Sequence, residues 1–358
     1  MQYSFVHSLS PDLPNVGSVL KRLGYKTAYF GKFEMDKQLL VPKPTVNYST
    51  TAEPYGFDVF SAGGDIGSDP RSGFDNDPFI AGESVRWLRV NASEARRTHQ
   101  PFLMVASFVN PHDIMYGNGN VSGQPPVQKP VVPWVLPPPP ANSIYEKKWS
   151  FTLPPSLQES LTVPGMPGAL SEYNKGWDGW SGVIPTDRQD MWRIFYNYYL
   201  NTFQDADRSI QQIVDVMNDM DLWRDTVVVF TADHGEMGGA HGGLKGKGPF
   251  SYEENVHVPL LIAHPAAKAG AICAALTSHL DLVPTFVGLT GLPDSRRIAG
   301  VKGLPGHDFS GLLTDPERAS VTAYALASSL TTWERAPSMG TSSAQPWTTW
   351  FFASPPHP

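Results

Sequence analysis

Three short runs of uncharged, mostly apolar residues constrain the fold of this chain more than any other feature. Residues 226–231 read TVVVFT, residues 102–109 read FLMVASFV, and residues 27–30 form a shorter run. Such continuous runs are typical of strands that are buried on both faces of a parallel sheet. We therefore expect an α/β fold with a mostly parallel central sheet flanked by helices.

Helical patterns separate these runs. Val16, Val19, Leu20 and Leu23 follow a helical spacing that Gly24 ends, and residues 79–90 are amphipathic before a polar break at residues 94–100. The pattern T-x-x-Q at residues 186–189 predicts a capping box that opens a long helix. Residues 258–263 predict one more strand, and a further helix is expected to begin near Pro284.

The middle of the chain lacks a sustained period. Residues 115–185 are rich in proline and predict an extended insertion that crosses the surface of an α/β domain spanning residues 1–295. Residues 296–358 predict a shortened C-terminal segment, the remnant of a small subdomain, with a poorly ordered tail from residue 317. The aromatic residues of the insertion either wall a substrate pocket or fasten the insertion to the body; they include Trp134, Tyr145, Trp149, Trp177 and Trp180.

Composition excludes some classes of protein. The chain has 27 Lys and Arg against 34 Asp and Glu, a formal charge of −7, and no basic stripe, which argues against a nucleic-acid partner. No uncharged apolar run is long enough to predict a membrane span. The single cysteine, Cys273, excludes an intrachain disulfide, and its apolar neighbours predict a buried side chain. The sequence indicates no cellular compartment.

Chemically reactive side chains follow all three apolar runs. Lys32 follows the first, His112 the second, and Asp233 with His234 the third, while Lys247 lies in the glycine-rich stretch that comes next. Taken singly, these residues fit a capped turn and solvated charges. Ligands of open α/β sheets bind beyond the carboxyl ends of the strands, so together they predict a cationic, metal-bearing crevice. Such a site favours a tetrahedral oxyanion, either sulfate or phosphate.

Four segments resemble the sulfatase family of the alkaline phosphatase superfamily. GYKTAYFGK at residues 24–32 resembles the second sulfatase signature, and ADHGE at 232–236 with HGGLKGKGPFSYEENVHVPLLI resembles the family's metal and lysine region. NPHD at 110–113 and SHLDLVPTFVGLTGL at 278–292 also resemble sulfatase segments. The resemblance covers roughly residues 14–315 in the family's order, and it extends to phosphonate and phosphate ester hydrolases of the superfamily.

The resemblance implies roles for individual residues. Asp233 and His234 match two metal ligands, for Ca²⁺ in most sulfatases or Mn²⁺ in some relatives. Lys32 and Lys247 match lysines that contact the ester oxyanion, and His112 matches a histidine that binds sulfate or protonates the leaving group. The implied fold is an alkaline-phosphatase-like sandwich, and the implied substrate is a small-molecule or glycan sulfate ester. His241 is expected to have no direct role.

The chain also departs from the family pattern. It contains no Cys- or Ser-x-Pro-x-Arg motif, whose first residue becomes the formylglycine nucleophile, and it lacks the first strand with its two acidic metal ligands. Glu34 stands where the family has a histidine, two residues after the signature lysine; it is able to pair with a lysine but cannot replace a cation. We therefore expect an N-terminally truncated sulfatase sequence, a fragment with weak metal affinity and little turnover.

Three functional hypotheses remain open at this point. The first is a metal-dependent hydrolase of sulfuric esters that is incomplete as given. The second keeps the fold and assigns phosphonate or phosphodiester substrates. The third is a non-catalytic sulfatase-like protein that binds a ligand, which the missing nucleophile favours and the retained Asp233, His234 and Lys247 disfavour.

Overall fold

Six strands of the described part of the chain form one sheet. The computed structural model describes residues 7–40, 48–61, 69–131, 135–248, 250–267, 269–316 and 348–353. The strands are β1 (Lys26–Gly31), β2 (Val59–Ser61), β3 (Phe102–Phe108), β4 (Val227–Ala232), β5 (Leu260–Ala263) and β6 (Thr348–Ala353). Their order across the sheet is β2-β1-β3-β6-β4-β5.

The strands that carry the candidate residues run in one direction. β1 is parallel to β2 and β3, whereas β6 is antiparallel to both β3 and β4, so β3 and β4 point the same way. Phe108 and Ala232, the last residues of β3 and β4, both pair with Thr348. The carboxyl ends of these strands are therefore level with one another at one edge of the sheet. This arrangement confirms the predicted mostly parallel sheet.

The strand β6 differs from the expectation for the C-terminal tail. Thr348–Ala353 lies in a part of the chain expected to be poorly ordered, and it fills the position between β3 and β4 that a missing first strand would leave open. The backbone groups of two central strands need partners, because unpaired buried N–H and C=O groups are costly. The segment TTWFFA, rich in β-branched and aromatic residues, suits that place. Residues 317–347 and 354–358 of the expected tail lie outside the described residues.

Helices cover both faces of the sheet. The longer ones are α1 (Val16–Arg22), α3 (Ser72–Thr98), α5 (Gly168–Ser181), α6 (Gln189–Asp219), α9 (Leu282–Gly288) and α10 (Asp294–Val301). Short turns of helix are α2 (Lys37–Leu40), α4 (Ser143–Glu146), α7 (Ala240–Gly243) and α8 (Glu253–Val256). No helix among the described residues is long and apolar enough to cross a membrane.

The alternation of side chains along β3 builds two separate cores. Leu103 and Val105 pack with residues of α1 and α9, whereas Met104 and Ala106 pack with residues of α3 and α6 on the other face. Every residue of β3 is buried. Since a strand covered on both faces requires apolar side chains at all positions, the continuous run in the sequence follows directly from this layering.

Several local predictions were wrong. Helix α3 continues through the polar break to Thr98, and α6 begins at Gln189 with no side-chain cap, so the predicted capping box of residues 186–189 does not form. Cys273 is exposed rather than buried. The insertion contains the helix α5, whose side chains pack on the glycine-rich stretch after β4. Tertiary packing overrides weak local signals in each case.

Candidate oxyanion site

Lys32 is held at the end of β1 by the backbone around it. Gly31 has φ +106°, a conformation that favours glycine, and a Cβ there would lie 2.0 Å from the carbonyl oxygen of Ser107 on β3. The Lys32 N–H donates to that same oxygen at 3.1 Å. The hydroxyl of Tyr29 donates to the Lys32 carbonyl at 2.6 Å. These contacts fix the backbone of a fully buried lysine at the carboxyl end of β1.

Glu34 pairs with this lysine. Its Oε1 lies 2.9 Å from Lys32 Nζ, and the side chain is 18% exposed. The backbone of Glu34 has φ 42°, a left-handed conformation that is uncommon for a residue other than glycine. The departure from the family pattern therefore places a carboxylate in an ion pair with the buried ammonium group of Lys32.

His112 is fixed by carboxylates on both sides of its segment. We call residues 109–113 the His112 loop. Asp77 of α3 accepts hydrogen bonds from the N–H groups of Val109 and Asn110 at 2.7 and 3.1 Å. In return, Asp113 accepts from the N–H groups of Gly73 and Phe74 in the first turn of α3, at 3.0 and 3.1 Å. The loop and the helix are thus joined reciprocally, and the imidazole of His112 is fully buried.

The two carboxyl groups that hold the His112 loop have perturbed acidities. Burial, partly offset by the backbone hydrogen bonds, raises the pKa of Asp113 to about 7. Burial also raises the pKa of Asp77 well above its ordinary value, and the nearby Asp113 raises it further. Desolvation disfavours the charged form of a carboxyl group, and the neighbouring acid adds like-charge repulsion.

Asp233 and His234 follow β4 as predicted. His234 Nδ1 lies 2.7 Å from the carbonyl oxygen of Gly235, and that contact assigns the ring proton to Nδ1. Nε2 then faces Asp233 Oδ2 at 3.3 Å. The ring of His279, from the segment before α9, contacts the carbonyl oxygen of Ala232 at 2.8 Å and supports the end of the strand. A carbonyl that orients the imidazole in this way is typical of metal-ligating histidines.

The donor set fits only part of a metal site. Two lone-pair donors that face each other are satisfied by a shared cation or a proton, so Asp233 and His234 are suitable ligands. Among the described ranges, however, no group of three or more His, Cys, Asp or Glu side chains is placed to hold a metal ion. Ca²⁺ takes about six to eight oxygen ligands. The side chains present therefore do not form a complete calcium site by themselves.

Lys247 belongs to the glycine-rich loop, which we define as residues 235–248. Six glycines of this loop have positive φ: Gly238, Gly239, Gly242, Gly243, Gly246 and Gly248. The carboxylate of Glu236 holds the loop from inside by accepting from the N–H groups of Gly238 and Gly246 at 3.1 and 2.6 Å. The ammonium nitrogen of Lys247 is buried and has no hydrogen-bond partner among the described residues.

Electrostatic coupling places Lys247 with the other site residues. Burial lowers the pKa of Lys247 well below its ordinary value, and the Lys32 ammonium group lowers it further. Asp233, Glu34 and Glu236 act in the opposite direction. Groups that perturb one another in this way lie close in space. The structure thus brings together Lys32, Lys247 and Asp233, three residues that come from opposite sides of β6.

His241 supports the glycine-rich loop rather than the crevice. Its Nδ1 lies 3.0 Å from Glu159 Oε2 and its Nε2 3.4 Å from Glu254 Oε2. The ring stacks on Tyr252 with the centroids 4.0 Å apart. These contacts tie the loop to the insertion and to α8.

Several residues of the site carried no signal in the sequence. Asp77 lies inside a helical pattern beside Pro78, Tyr29 lies within an apolar run, and Glu236 is one acid among several. Tyr29 and Glu236 lie within segments that resemble sulfatase signatures, so the sequence pointed to these segments but not to the two residues themselves. Nothing in the sequence marked Asp77, because its partners lie more than thirty residues away along the chain.

Comparisons with known proteins identify a family model and similar chains. A family model described as Sulfatase matches residues 1–292. An extracellular sulfatase SULF-1 homolog from Drosophila melanogaster is 24% identical over 299 residues, covering 80% of this chain and 23% of that protein. An arylsulfatase from Volvox carteri is 25% identical over 333 residues, covering 88% of this chain and 49% of its own length. The chain spans less than half the length of either relative.

Solved structures share the fold. A protein solved in complex with its substrate D-glucosamine-2-N,6-O-disulfate matches with a TM-score of 0.57 at 19% identity, over 87% of this chain and 66% of that chain. The phosphonate monoester hydrolase of Agrobacterium radiobacter matches with a TM-score of 0.53 at 19% identity, over 87% and 64% of the two chains. These similarities establish the alkaline-phosphatase-like arrangement of a parallel sheet flanked by helices.

Proposed function

The chain belongs to the sulfatase family, and from this premise we propose that its crevice binds sulfuric esters through Lys32 and Lys247. The observation that carries the proposal is the pair of buried ammonium groups of Lys32 and Lys247: the Lys247 ammonium nitrogen has no hydrogen-bond partner among the described residues, and burial first, then the charge of Lys32, lower the pKa of Lys247. Although Asp233, Glu34 and Glu236 partly offset the two cations, an added anion would compensate the buried charge of Lys247 further. The sulfuryl group of an ester supplies that anion, and its tetrahedral oxygens can accept from both lysines at once.

His112 has a distinct role in this proposal. It follows β3, one strand from Lys32, at the edge where ligands bind in open α/β sheets. A buried imidazole at that position is suited to donate a proton to the departing alcohol oxygen. The reciprocal hydrogen bonds of Asp77 and Asp113 keep the His112 loop in place for this transfer.

We further propose that Asp233 and His234 contribute two ligands to a divalent cation, Ca²⁺ or alternatively Mn²⁺. Water and ester oxygens would have to complete the coordination, so the affinity of the described residues alone is expected to be weak. Such an ion would supply a positive charge able to polarise the ester. Turnover is expected to be slow or absent, because the sequence has no Cys- or Ser-x-Pro-x-Arg motif to supply the formylglycine nucleophile.

Inorganic sulfate tests the oxyanion pocket directly. Because a ligand that binds only the folded state raises the unfolding midpoint, sodium sulfate is expected to stabilise the protein more than sodium chloride of equal ionic strength. Lys247→Met should remove this difference. Lys148→Met, which alters an exposed lysine outside the crevice, is the matched control and should keep it. Equal responses of the two variants would contradict the proposal.

A second variant, at Glu34, is expected to raise the affinity for sulfate instead of lowering it. Glu34→Gln removes the negative charge that lies 2.9 Å from Lys32 Nζ, so the affinity for sulfate is expected to rise about fivefold or more. Isothermal titration calorimetry with sodium sulfate measures this change. A loss of affinity would show that Glu34 supports the anion site instead of competing for it.

Hydrolysis assays separate the three functional hypotheses. With Ca²⁺ or Mn²⁺ present, rapid hydrolysis of 4-nitrophenyl sulfate by the 358-residue chain would contradict the expectation of little turnover. The structural similarity to a phosphonate monoester hydrolase keeps the second hypothesis open. Tighter binding of phenylphosphonate than of phenyl sulfate would favour it. Binding of sulfate esters with no hydrolysis on any time scale would favour the non-catalytic hypothesis.

A further inference from the structure

Five aromatic side chains form a continuous series beside the candidate site. Their rings are in contact in the order Tyr116, Trp180, Trp177, Tyr173 and Phe250, and we call this series the aromatic arc. The centroid distances along it are 5.6, 5.5, 6.1 and 4.8 Å. Tyr116 is buried, whereas the other four side chains are partly exposed.

The aromatic arc connects the two loops of the oxyanion site. At one end, the ring of Tyr116 lies 5.9 Å from the ring of His112. Further along, the ring of Trp177 packs on Gly246, where an added Cβ would lie 2.6 Å from its Cη2 atom. Gly246 directly precedes Lys247. The arc therefore begins beside the proposed proton donor and passes beside a proposed oxyanion ligand.

Hydrogen bonds hold helix α5 against the glycine-rich loop. Lys245 donates to Ser181 Oγ and the Gly182 carbonyl at 3.2 and 2.8 Å, and it lies 3.1 Å from Asp178 Oδ1. The hydroxyl of Tyr173 donates to the Lys245 carbonyl and accepts from the Gly248 N–H, both at 3.0 Å. The helix is thus joined to the backbone on both sides of Lys247.

Other aromatic residues of the insertion fasten it to the body. The Tyr145 hydroxyl donates to Asp205 at 3.0 Å, and Trp149 Nε1 donates to Asn201 Oδ1 at 2.7 Å on helix α6. Trp134 lies outside the described residues. The contrast separates the two interpretations of the insertion, since Trp177 and Trp180, unlike Trp149, belong to the ring series that connects His112 with Gly246.

We infer that Trp177 and Trp180 form the subsite for the alcohol half of the ester, and that this half is a pyranose sugar. The inference rests on the proposed oxyanion site. Indole rings stack on the apolar face of a sugar, and hydroxyl groups require acceptors nearby. Asp178, beside Trp177, keeps a carboxylate that is 20% exposed and able to accept further hydrogen bonds. This carboxylate already pairs with Lys245 and accepts from Asn174 Nδ2 at 3.2 Å, and an aryl group would leave its remaining lone pairs unused.

The test compares ligands that share the sulfuryl group. Isothermal titration calorimetry is run with sodium sulfate, D-glucose 6-sulfate and 4-nitrophenyl sulfate. The unaltered protein is expected to bind D-glucose 6-sulfate more tightly than the other two. Trp177→Leu keeps apolar packing on Gly246 without an aromatic face, and it should weaken binding of D-glucose 6-sulfate about five- to tenfold. Its affinity for sodium sulfate should not change.

Two further variants guard against an effect on folding. Trp177→Phe retains an aromatic ring and should recover most of the lost affinity, whereas a general loosening of the loop would not be reversed. Trp149→Leu removes a fastening tryptophan of the same insertion and should leave all three affinities unchanged. Circular dichroism spectra establish that each variant is folded before titration.

The outcomes distinguish the two proposals. If sodium sulfate fails to bind the unaltered protein, the oxyanion site is wrong and the sugar subsite fails with it. If sodium sulfate binds but Trp177→Leu leaves the preference for D-glucose 6-sulfate intact, only the sugar subsite is overturned. Tighter binding of 4-nitrophenyl sulfate than of D-glucose 6-sulfate would overturn the assignment of a sugar.

Discussion

The two loops that supply the site are held in place by opposite means. The His112 loop is short, buried, and fixed by two carboxylates that exchange hydrogen bonds with helix α3. The glycine-rich loop is longer and depends on left-handed glycines and on packing against the insertion. Both deliver a candidate site residue to the same edge of the sheet. The comparison shows that one site can combine a residue whose loop is held by buried carboxylates with a residue whose loop is held by the backbone conformation of its glycines.

The two ways in which the loops are held predict different responses to substitution and to pH. A loop held by buried carboxylates should fail when an acceptor is removed, and it should respond to pH. A loop held by glycine conformation should fail when a Cβ is added, and it should be indifferent to most surface charges. Four substitutions, taken in order of decreasing effect, test this distinction.

The largest effect is expected for Asp77→Ala. The substitution leaves the buried N–H groups of Val109 and Asn110 without their acceptor, and each unsatisfied buried donor costs about 1–3 kcal/mol. We expect the free energy of unfolding, measured in urea, to fall by about 2–5 kcal/mol. Asp75→Ala on the exposed side of the same helix is the control and should change it by less than about 0.5 kcal/mol. Similar values for the two would show that the carboxylate does not hold the His112 loop.

Gly235→Ala tests the other loop. A Cβ at this position would lie 1.8 Å from the carbonyl oxygen of Glu254, so the backbone on one side must move. We expect a loss of about 1–3 kcal/mol in the free energy of unfolding, together with weaker binding at the neighbouring Asp233 and His234. Gly176→Ala in the middle of α5 meets no atom within 4 Å and should instead stabilise the protein by about 0.5–1 kcal/mol. An unchanged free energy of unfolding for Gly235→Ala would contradict the expectation that this loop is sensitive to an added Cβ.

Lys247→Met is expected to stabilise the fold while it removes anion binding. The buried ammonium group has no hydrogen-bond partner among the residues described, and its depressed pKa reports an unfavourable charge. Replacing it by an apolar side chain of similar length should raise the free energy of unfolding by about 1 kcal/mol. Urea unfolding at pH 7 without sulfate measures this. A lower free energy of unfolding for Lys247→Met would mean that the lysine stabilises the loop. The buried ammonium group would then not reduce the stability of the fold.

The smallest effect concerns the pH dependence contributed by Asp113. Its pKa is raised from 3.8 to about 7, so between these values the folded state binds more protons than the unfolded state. The contribution of this group to stability is therefore present below about pH 4 and is lost as the pH rises toward 7. Asp113→Asn does not titrate. We expect it to lower stability at pH 5 by about 1 kcal/mol or less, and to flatten the decline between pH 4 and 7.

Urea unfolding at half-unit steps of pH checks this last expectation. Asp207→Asn, at an exposed position of α6, serves as the control and should leave the pH profile unchanged. An unaltered profile for Asp113→Asn would show that the carboxyl group keeps an ordinary pKa, and the pH response would then not distinguish the two loops.

The local sequence was sufficient to predict the strands that precede the candidate site residues. Strand β3 was predicted from residues 102–109 because a strand covered on both faces needs apolar side chains at every position. Lys32, His112 and Asp233 were identified because they directly follow such runs, and ligands bind at the carboxyl ends of parallel strands. Information of this kind lies within a few neighbouring residues.

The tertiary structure decided what depends on distant partners. Strand β6 pairs with β3 and β4 although it lies at the far end of the chain, and the pairing between Lys32 and Glu34 required a turn that the sequence did not specify. The separation of the insertion's tryptophans into fastening residues and members of the aromatic arc likewise follows from which surfaces meet. Periodicity reports which face of an element is buried, whereas the partner of that face is set by the packing of the whole chain.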